Sequence, residues 1–500
     1  MTHAVATRNA QALPLARVPL LEVGAFRQVV IEALDGGRRL AALFGQAAPE
    51  APAGPVRVWA VLADDVEGRL ALTTTQVEGR YPALTPECPE AHWFERALWE
   101  QWGVVPEGHP GLQPVRFQPP RRGGGAAPPV GVRPFWRVEG PEVHEVAVGP
   151  VHAGVIEPGH FRFQCHGEEV LALEISLGYQ HRGVLRALVG GPDKRTPHLI
   201  ETLAGDTSVG HATAWAQAVE ALAGVEAPAR AQVLRAIGLE LERLANHTGD
   251  LGALAGDVAF LPTAAWCGRL RGDWLNLSAL LCGSRFGRGL VRPGGVAFDL
   301  EPERAVLALQ RVEAAFADLA PAVELLWRTP SVMSRFEDTG PVPRETAEDL
   351  GLVGPCARAA GVVRDVRQDH PAGAWRFLQL PVPTWHSGDV FARAFVRWLE
   401  VEQSVRFLRE QLPALPGGPL RVPLGPLAPE QVVVSLVEGW RGEVCHVALT
   451  DAQGRFAAYE VVDPSLHDWP GLAMALRGQE ISDFPLCNKS FNLSYCGHDL

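Results

Sequence analysis

Hydrophobic positions change their spacing near residue 120. Before it, short apolar runs such as VVIEALDGGRRLAALFG (29–45) and RVWAVLADDVEGRLALTTTQV (57–77) are punctuated by turn residues, Asp35-Gly36-Gly37 being the clearest. That pattern predicts a small α+β unit. After it, a strand-like opening leads into helical periodicity. Val233, Ile237, Leu241 and Leu244 recur at steps of three and four in a helix expected to start at Pro228, where the missing N–H costs nothing. A second helix is expected from about Asp389 to Glu410, with Phe391, Phe395, Leu399 and Val405 near one face. Both are long enough for a bundle. Between the two regimes, PPRRGGGAAPPVGVRPF (119–135) has no apolar period, and its Pro and Gly remove helix and strand alike. The expected fold is α+β: a small α+β domain over 20–118, a linker over 119–138, and a large, mainly helical domain with a strand-rich opening over 139–500.

Composition narrows the function classes. The 500 residues are 47% hydrophobic and 20% charged, which predicts a folded globular chain of two or three domains. No run approaches the ~18 apolar residues a membrane-spanning helix needs, and the start lacks a signal-peptide pattern, so no direct membrane insertion and no export are expected. A net charge of −12 argues against nucleic acid, whose phosphates are bound through Lys and Arg. The eight cysteines are scattered with no C-x-x-C pair, and read as reduced, mostly buried thiols. No Gly-x-Gly-x-x-Gly follows a strand, and Gly123-Gly124-Gly125 belongs to the linker, so nucleotide chemistry is not expected on this chain.

HWFERALWEQWGV (92–104), followed by Glu107-Gly108-His109-Pro110-Gly111-Leu112, resembles the signature of the small, 30-kDa-like peripheral-arm subunit of respiratory complex I. Its aromatics suggest a packed docking helix and Gly108-His109-Pro110 a tight turn. GPVHAGVIEPGHFRF (149–163), Tyr179-Gln180-His181-Arg182-Gly183, Glu240-Leu241-Glu242-Arg243, Arg292-Pro293-Gly294-Gly295, Gly354-Pro355-Cys356-Ala357-Arg358, Glu438-Gly439-Trp440-Arg441 and DFPLCNKSFN (483–492) resemble the catalytic subunit of formate-hydrogenlyase-type (group 4) nickel–iron hydrogenases. The complex I relative of that subunit is the 49-kDa-like protein of the quinone site. The matches are collinear over nearly all of 140–500.

The resemblance implies a hydrogenase-large-subunit-like fold and a role in a membrane-associated oxidoreductase, complex I-like or related to energy-converting hydrogenases. There, electron arrival from an iron–sulfur partner subunit would be coupled to quinone reduction or ion translocation. The implied partners are that iron–sulfur protein, similar to a complex I small subunit, and antiporter-like membrane subunits; the implied location is peripheral, on the cytoplasmic face. Two other readings stand beside it: a catalytically silent scaffold, and an active nickel–iron hydrogenase.

The last of these conflicts with the chain's own residues. Nickel–iron centres are held by four thiolates, and soft sulfur donors are the chemical requirement. The family's ligand positions fall here on Ala204, Thr207, Ser494 and Gly497, with Cys496 one residue out of register. No metal is expected, and no covalently bound cofactor; quinone is the ligand the resemblance implies, although Gly205 stands where the quinone-site subunit has a Tyr. Candidate chemistry lies elsewhere. His152 and His160 fall in the opening segment, where imidazoles that switch charge near neutral pH suit proton delivery or form hydrogen-bonded turns. Glu240, Arg243 and His247 share a face of an otherwise apolar helix, where ionisable groups must pair or shift their pKa. These five residues are expected to border one internal cavity, where the hydrogenase keeps its metal, with His181, Arg182, Arg269 and Arg271 lining it.

Overall fold

The strongest helical period becomes the helix Ala229–Asp257, in which nearly every side chain from Ala231 to Ala255 is buried. Pro228 stands immediately before it with ψ 151°. All-round burial marks a helix enclosed by others. Helices Ser208–Ala223, Leu261–Cys282 and Val390–Gln411 pack against it, and Pro302–Trp327 backs the last two. Asp389 starts the Val390–Gln411 helix by accepting the Ala392 N–H at 2.8 Å, which satisfies a first-turn donor.

The computed structural model describes residues 3–48, 51–122, 125–153 and 156–500. Gly123 and Gly124 of the linker, and Gly154 and Val155 of the opening motif, lie outside them. The fold is α+β. In the N-terminal part, strands Val5–Thr7, Arg69–Val77, Ala51–Asp64 and Arg39–Ala48 pair antiparallel in that spatial order, and Leu20–Leu21 adds parallel to Arg69–Val77. Helix Val23–Asp35 covers this sheet. The expected docking helix forms as His92–Trp102 and stops at Gly103, in the left-handed region at φ 68°. Gly45 on the neighbouring strand has no room for a side chain, because a Cβ there would stand 2.5 Å from the Trp102 indole.

A second sheet orders Phe456–Val462, Glu443–Thr450 and Gln431–Glu438, then the N-terminal pair Leu13–Pro14. A third pairs Val143–Val148 and Glu169–Ser176 on either side of His160–His166. One apolar core runs from the N-terminal sheet through Phe161 and Phe163 to Trp469, and a second fills the helical bundle. Polar clamps cross between the first sheet and the large part. Arg39 grips Glu443 with both terminal nitrogens and Asp65 at 2.9 Å, while His370 and Arg364 hold the same Asp65 at 2.9 and 3.0 Å. Burial alone would raise the Asp65 pKa; these three partners hold it well below the carboxylate range.

Residues 119–138 carry neither helix nor strand among those described, and Ala126, Ala127, Val130 and Val132 are exposed or half-exposed. We propose the boundaries 20–118 and 139–500 on this basis. Limited proteolysis is expected to nick the chain first between 125 and 132, where the backbone has no ladder to leave; first cuts inside 229–257 would refute the division.

Candidate functional site

A charged face cannot be left unpaired inside a bundle, and the long helix does not leave it so. Glu240 accepts from Arg367 at 2.9 Å, Arg243 at 3.2 Å and Ser404 at 2.6 Å. One Glu400 oxygen accepts from Arg243 at 3.1 Å and is 2.8 Å from His247 Nε2, and the other accepts twice from Arg358, at 2.7 and 3.0 Å. Arg358 also donates to Glu438 at 2.9 Å, and Arg367 to Asp365 at 2.6 Å. All nine side chains are buried. Four carboxyls thus face three guanidiniums, one negative charge in excess, which a single proton on a carboxyl balances. Burial, which acts to raise the Glu400 carboxyl, is overcome there by Arg358, His247 and Arg243, so that group lies well below its usual range. At Glu438 burial and the neighbouring Asp365 win, and its pKa rises to about 7.

Trp440 joins this network to the region of Ala204, Thr207, Ser494 and Gly497. Its ring stands 6.0 Å from that of His247, its indole N–H donates to the Asp206 carbonyl at 2.9 Å, and the Arg441 guanidinium lies 3.9 Å over its face. Arg441 in turn donates to both carboxylate oxygens of Asp206, at 2.6 and 2.8 Å, and to the Asn492 carbonyl at 2.5 Å. Asn492 closes the circuit by donating to Asp250 at 2.5 Å, itself 3.9 Å from His247 Nδ1. Beyond Arg441 a buried chain follows: Asp463 Oδ2 to His211 Nε2 at 3.2 Å, His211 Nδ1 to His446 Nε2 at 3.0 Å, and His446 Nδ1 to the Tyr459 hydroxyl at 2.8 Å. With Asp463 ionised and both rings neutral, only one proton order satisfies every contact. Tyr459 donates to His446, His446 to His211, and His211 to Asp463.

Residues 257–427 match the profile of the 49-kDa subunit of respiratory-chain NADH dehydrogenase, and 33–120 that of the 30-kDa subunit. Formate hydrogenlyase subunit 5 of Escherichia coli is 30% identical over 433 residues, covering 83% of this chain and 76% of that protein. The chain belongs to the family of these hydrogenase and complex I subunits. Carbon monoxide-induced hydrogenase of Rhodospirillum rubrum is 29% identical over 70% of this chain and 97% of that protein. NADH-quinone oxidoreductase subunit 4 of Thermus thermophilus is 32% identical over 68% and 90%. This member of the family is therefore an oxidoreductase subunit, with its 30-kDa-like and 49-kDa-like parts fused in one chain.

Its donor set does not fit the four-thiolate nickel–iron centre that the sequence resemblance implies. Ala204, Thr207, Ser494 and Gly497 supply no thiolate, and a Cβ on Gly497 would stand 2.6 Å from Asp463 Oδ2, so that carboxylate occupies the space a cysteine would need. The Cys496 thiol lies 3.5 Å from Ser494 Oγ, its pKa pushed up to about 11 by burial and by Glu157, which keeps it protonated. Among the described residues, no cluster of three or more His, Cys, Asp or Glu side chains is arranged to hold a metal ion.

The other expected site residues separate into near and far. Arg182 donates to the carbonyls of Thr202, Leu203 and Cys496, clamping together the two segments that carry the former ligand positions, and His181 binds the Asp499 carbonyl at 2.8 Å. His152 and His160 bind carbonyls within their own loop, Gly159 at 2.9 Å and Gly149 at 3.1 Å. That loop touches the C-terminal tail through Glu157, which accepts the Tyr495 N–H at 3.3 Å. Arg269 does not line the cavity. It lies on the outer face of Leu261–Cys282, its side chain 48% exposed and paired with Asp273 and Asp318. Arg271 packs its side-chain carbons on the long helix at Gly249. The loop Arg292-Pro293-Gly294-Gly295 makes its close approach to the 420–422 backbone.

Sequence reasoning missed Glu400, Arg358, Asp365, Arg367 and Glu438 as partners, and the whole Asp463–His211–His446–Tyr459 chain. It also passed over Glu242, which accepts the Val209 and Gly210 N–H groups at 2.7 and 3.1 Å in the first turn of Ser208–Ala223. Burial pushes the Glu242 pKa from 4.5 to about 8. A folded-state value above the unfolded one means the folded chain binds more protons, so stability falls as pH rises from about 4.5 to 8. Buried His467, lowered from 6.5 to about 4, opposes this only below pH 6.5. The urea midpoint is therefore expected to fall from pH 6.5 to 8, and less steeply in Glu242→Gln. An unchanged slope in that variant would remove the assignment.

Proposed function

We propose that this chain is the electron-to-proton coupling subunit of a membrane-associated complex I-like oxidoreductase, operating without a nickel–iron centre. Electrons reach it from an iron–sulfur partner subunit, a quinone is the acceptor, and antiporter-like membrane subunits move the ion. The observation that carries this reading is the one-proton imbalance of the Glu240–Glu400–Glu438 network, continued by Trp440 and Asp250 to Arg441. A network short of one positive charge takes up or gives back a single proton when the charge near Arg441 changes, and Glu438, near pH 7, is poised to do so. Arg441 and Asp463 set the field at the former ligand positions, and Arg182 holds their two segments in register. No helix among the described residues is long and apolar enough to cross a membrane; the position proposed is peripheral, on the cytoplasmic face.

The test is Glu240→Gln in the assembled complex. The substitution removes a titratable group while preserving volume; because either orientation of the amide turns its NH2 toward Arg367 or Arg243, a melting curve and co-purification of the partner subunits accompany the measurement. Ion movement per electron is expected to fall by about 10²-fold with the subunit still assembled. Full coupling in that variant would leave Glu240 as a structural partner of Arg243 and Arg367, and the scaffold reading would take over.

A further inference from the structure

Where the 92–113 stretch of the N-terminal part meets the large part, a cleft of about 250 Å³ opens between helix His92–Trp102, strand Glu169–Ser176 and helix Pro464–Ala475. Its walls are apolar and aromatic, formed by Trp93, Trp136, Trp469, Leu173 and Met474. Its polar side is cationic. Arg96 is 5% exposed, and the Arg133 side chain 3%. Arg96 donates to the carbonyls of Gln113 and Pro114 at 2.8 and 2.9 Å, with its guanidinium 4.9 Å from the Trp93 ring centroid. Arg133 reaches the Ile175 carbonyl at 3.3 Å and one oxygen of Glu174 at 3.4 Å.

Glu174 is the only carboxylate among the cleft-lining residues, and its other oxygen already accepts the Trp136 N–H at 2.6 Å. Within the lining two buried guanidiniums therefore share one carboxylate, while Glu100, outside the lining, is a further counter-charge to Arg96. Arg133 Nε–H and Trp469 Nε1–H, both buried, have no acceptor among the described residues. Burial and the neighbouring Arg133 pull the Arg96 pKa down to about 9, against the opposing pull of Glu100 and Glu174. Buried cations call for a hydrogen-bonded counter-ion, guanidinium matches carboxylate geometry, and clefts at the junction of two units are favoured ligand sites.

We propose that this cleft binds a small planar aromatic carboxylate, its anionic end meeting the free N–H of Arg133 and its ring lying against Trp93, Trp136 and Trp469. The ligand completes the missing counter-charge, and the indole faces give the selectivity for flat rings.

Calorimetric titration of the full chain with 2-naphthoate, and with neutral 2-naphthamide of the same shape, tests it. The carboxylate is expected to bind at least about tenfold tighter than the amide, because a charge-assisted bond to Arg is lost in the amide. Arg133→Gln is expected to abolish that preference. Trp136→Ala, at a residue 59% exposed that leaves the core intact, is expected to weaken both probes. Circular dichroism and a melting curve confirm that each variant is folded, and the tryptophan variant keeps the test decisive if the arginine variant is not. Equal binding of the two probes, unchanged affinity in the variants, or no heat with either probe at about 1 mM overturns the proposal.

Discussion

Glu400→Gln is expected to unfold roughly 3–10 °C below the parent chain. Glu400 is the acceptor on which Arg243, His247 and Arg358 converge, and its side chain is fully buried. The amide nitrogen that replaces one oxygen confronts N–H donors, and the lost charge leaves Arg358 and Arg243 short of a counter-ion. Breaking a buried ion pair from one side costs about 3–5 kcal/mol. At roughly 1–2 °C per kcal/mol for a unit the size of 139–500, the thermal midpoint falls by roughly 3–10 °C. The exposed pair Glu313–Arg409 is the control: Glu313→Gln is expected to cost under about 1 kcal/mol, since surface pairs contribute little. Melting of Glu400→Gln within the error of Glu313→Gln would show that the network is no stability determinant.

The second large effect is an absence that survives restoration of the ligands. Chain purified after growth in nickel is expected to hold under about 0.1 nickel per molecule, because thiolate donors are lacking. The same is expected of the quadruple variant Ala204→Cys, Thr207→Cys, Ser494→Cys, Gly497→Cys. In that variant the new Cβ at 497 meets Asp463 Oδ2, and Asp463 is held in place by His211 and by the Ser465 N–H. Further replacement of Asp463 by Gly is the change that opens the space. Elemental analysis decides the matter: about one nickel in the parent chain would mean that another donor set exists, and about one in the quadruple variant would mean that Asp463 yields easily.

The sequence made some of this legible and hid the rest for definite reasons. Both long helices were readable because their apolar residues recur at helical spacing, and Pro228 and Asp389 mark their starts. Glu240, Arg243 and His247 stood out because charge on such a face has to be paired. The partners were hidden by chain separation: Glu400 lies 157 residues from Arg243, and Glu438 80 from Arg358. One signal went unused. Arg393, Arg397 and Glu400 interrupt an apolar helix in the same way, and all three are buried. His446, Tyr459 and Asp463 belong to or follow strands so thoroughly buried that no alternation singles them out. His211 sits seven residues past Ala204, inside the segment read for cysteines, and went unnoticed because only thiolates were sought there. Arg269 was expected in the cavity, and the outer face of its helix was not visible without the fold.

The N-terminal strand Leu13–Pro14 is stitched into the edge of the C-terminal sheet, and Asn9 adds bonds to the His370 and Leu436 carbonyls and takes the Leu436 N–H. With the Arg39–Glu443 clamp, these contacts make the peptide connection through 119–138 thermodynamically redundant. Its contribution is to effective concentration, sparing the two pieces a bimolecular search. A chain nicked between 125 and 132 would still travel as one particle, and the same two pieces made as separate polypeptides would find each other, so fusion and fission of this pair are nearly neutral changes.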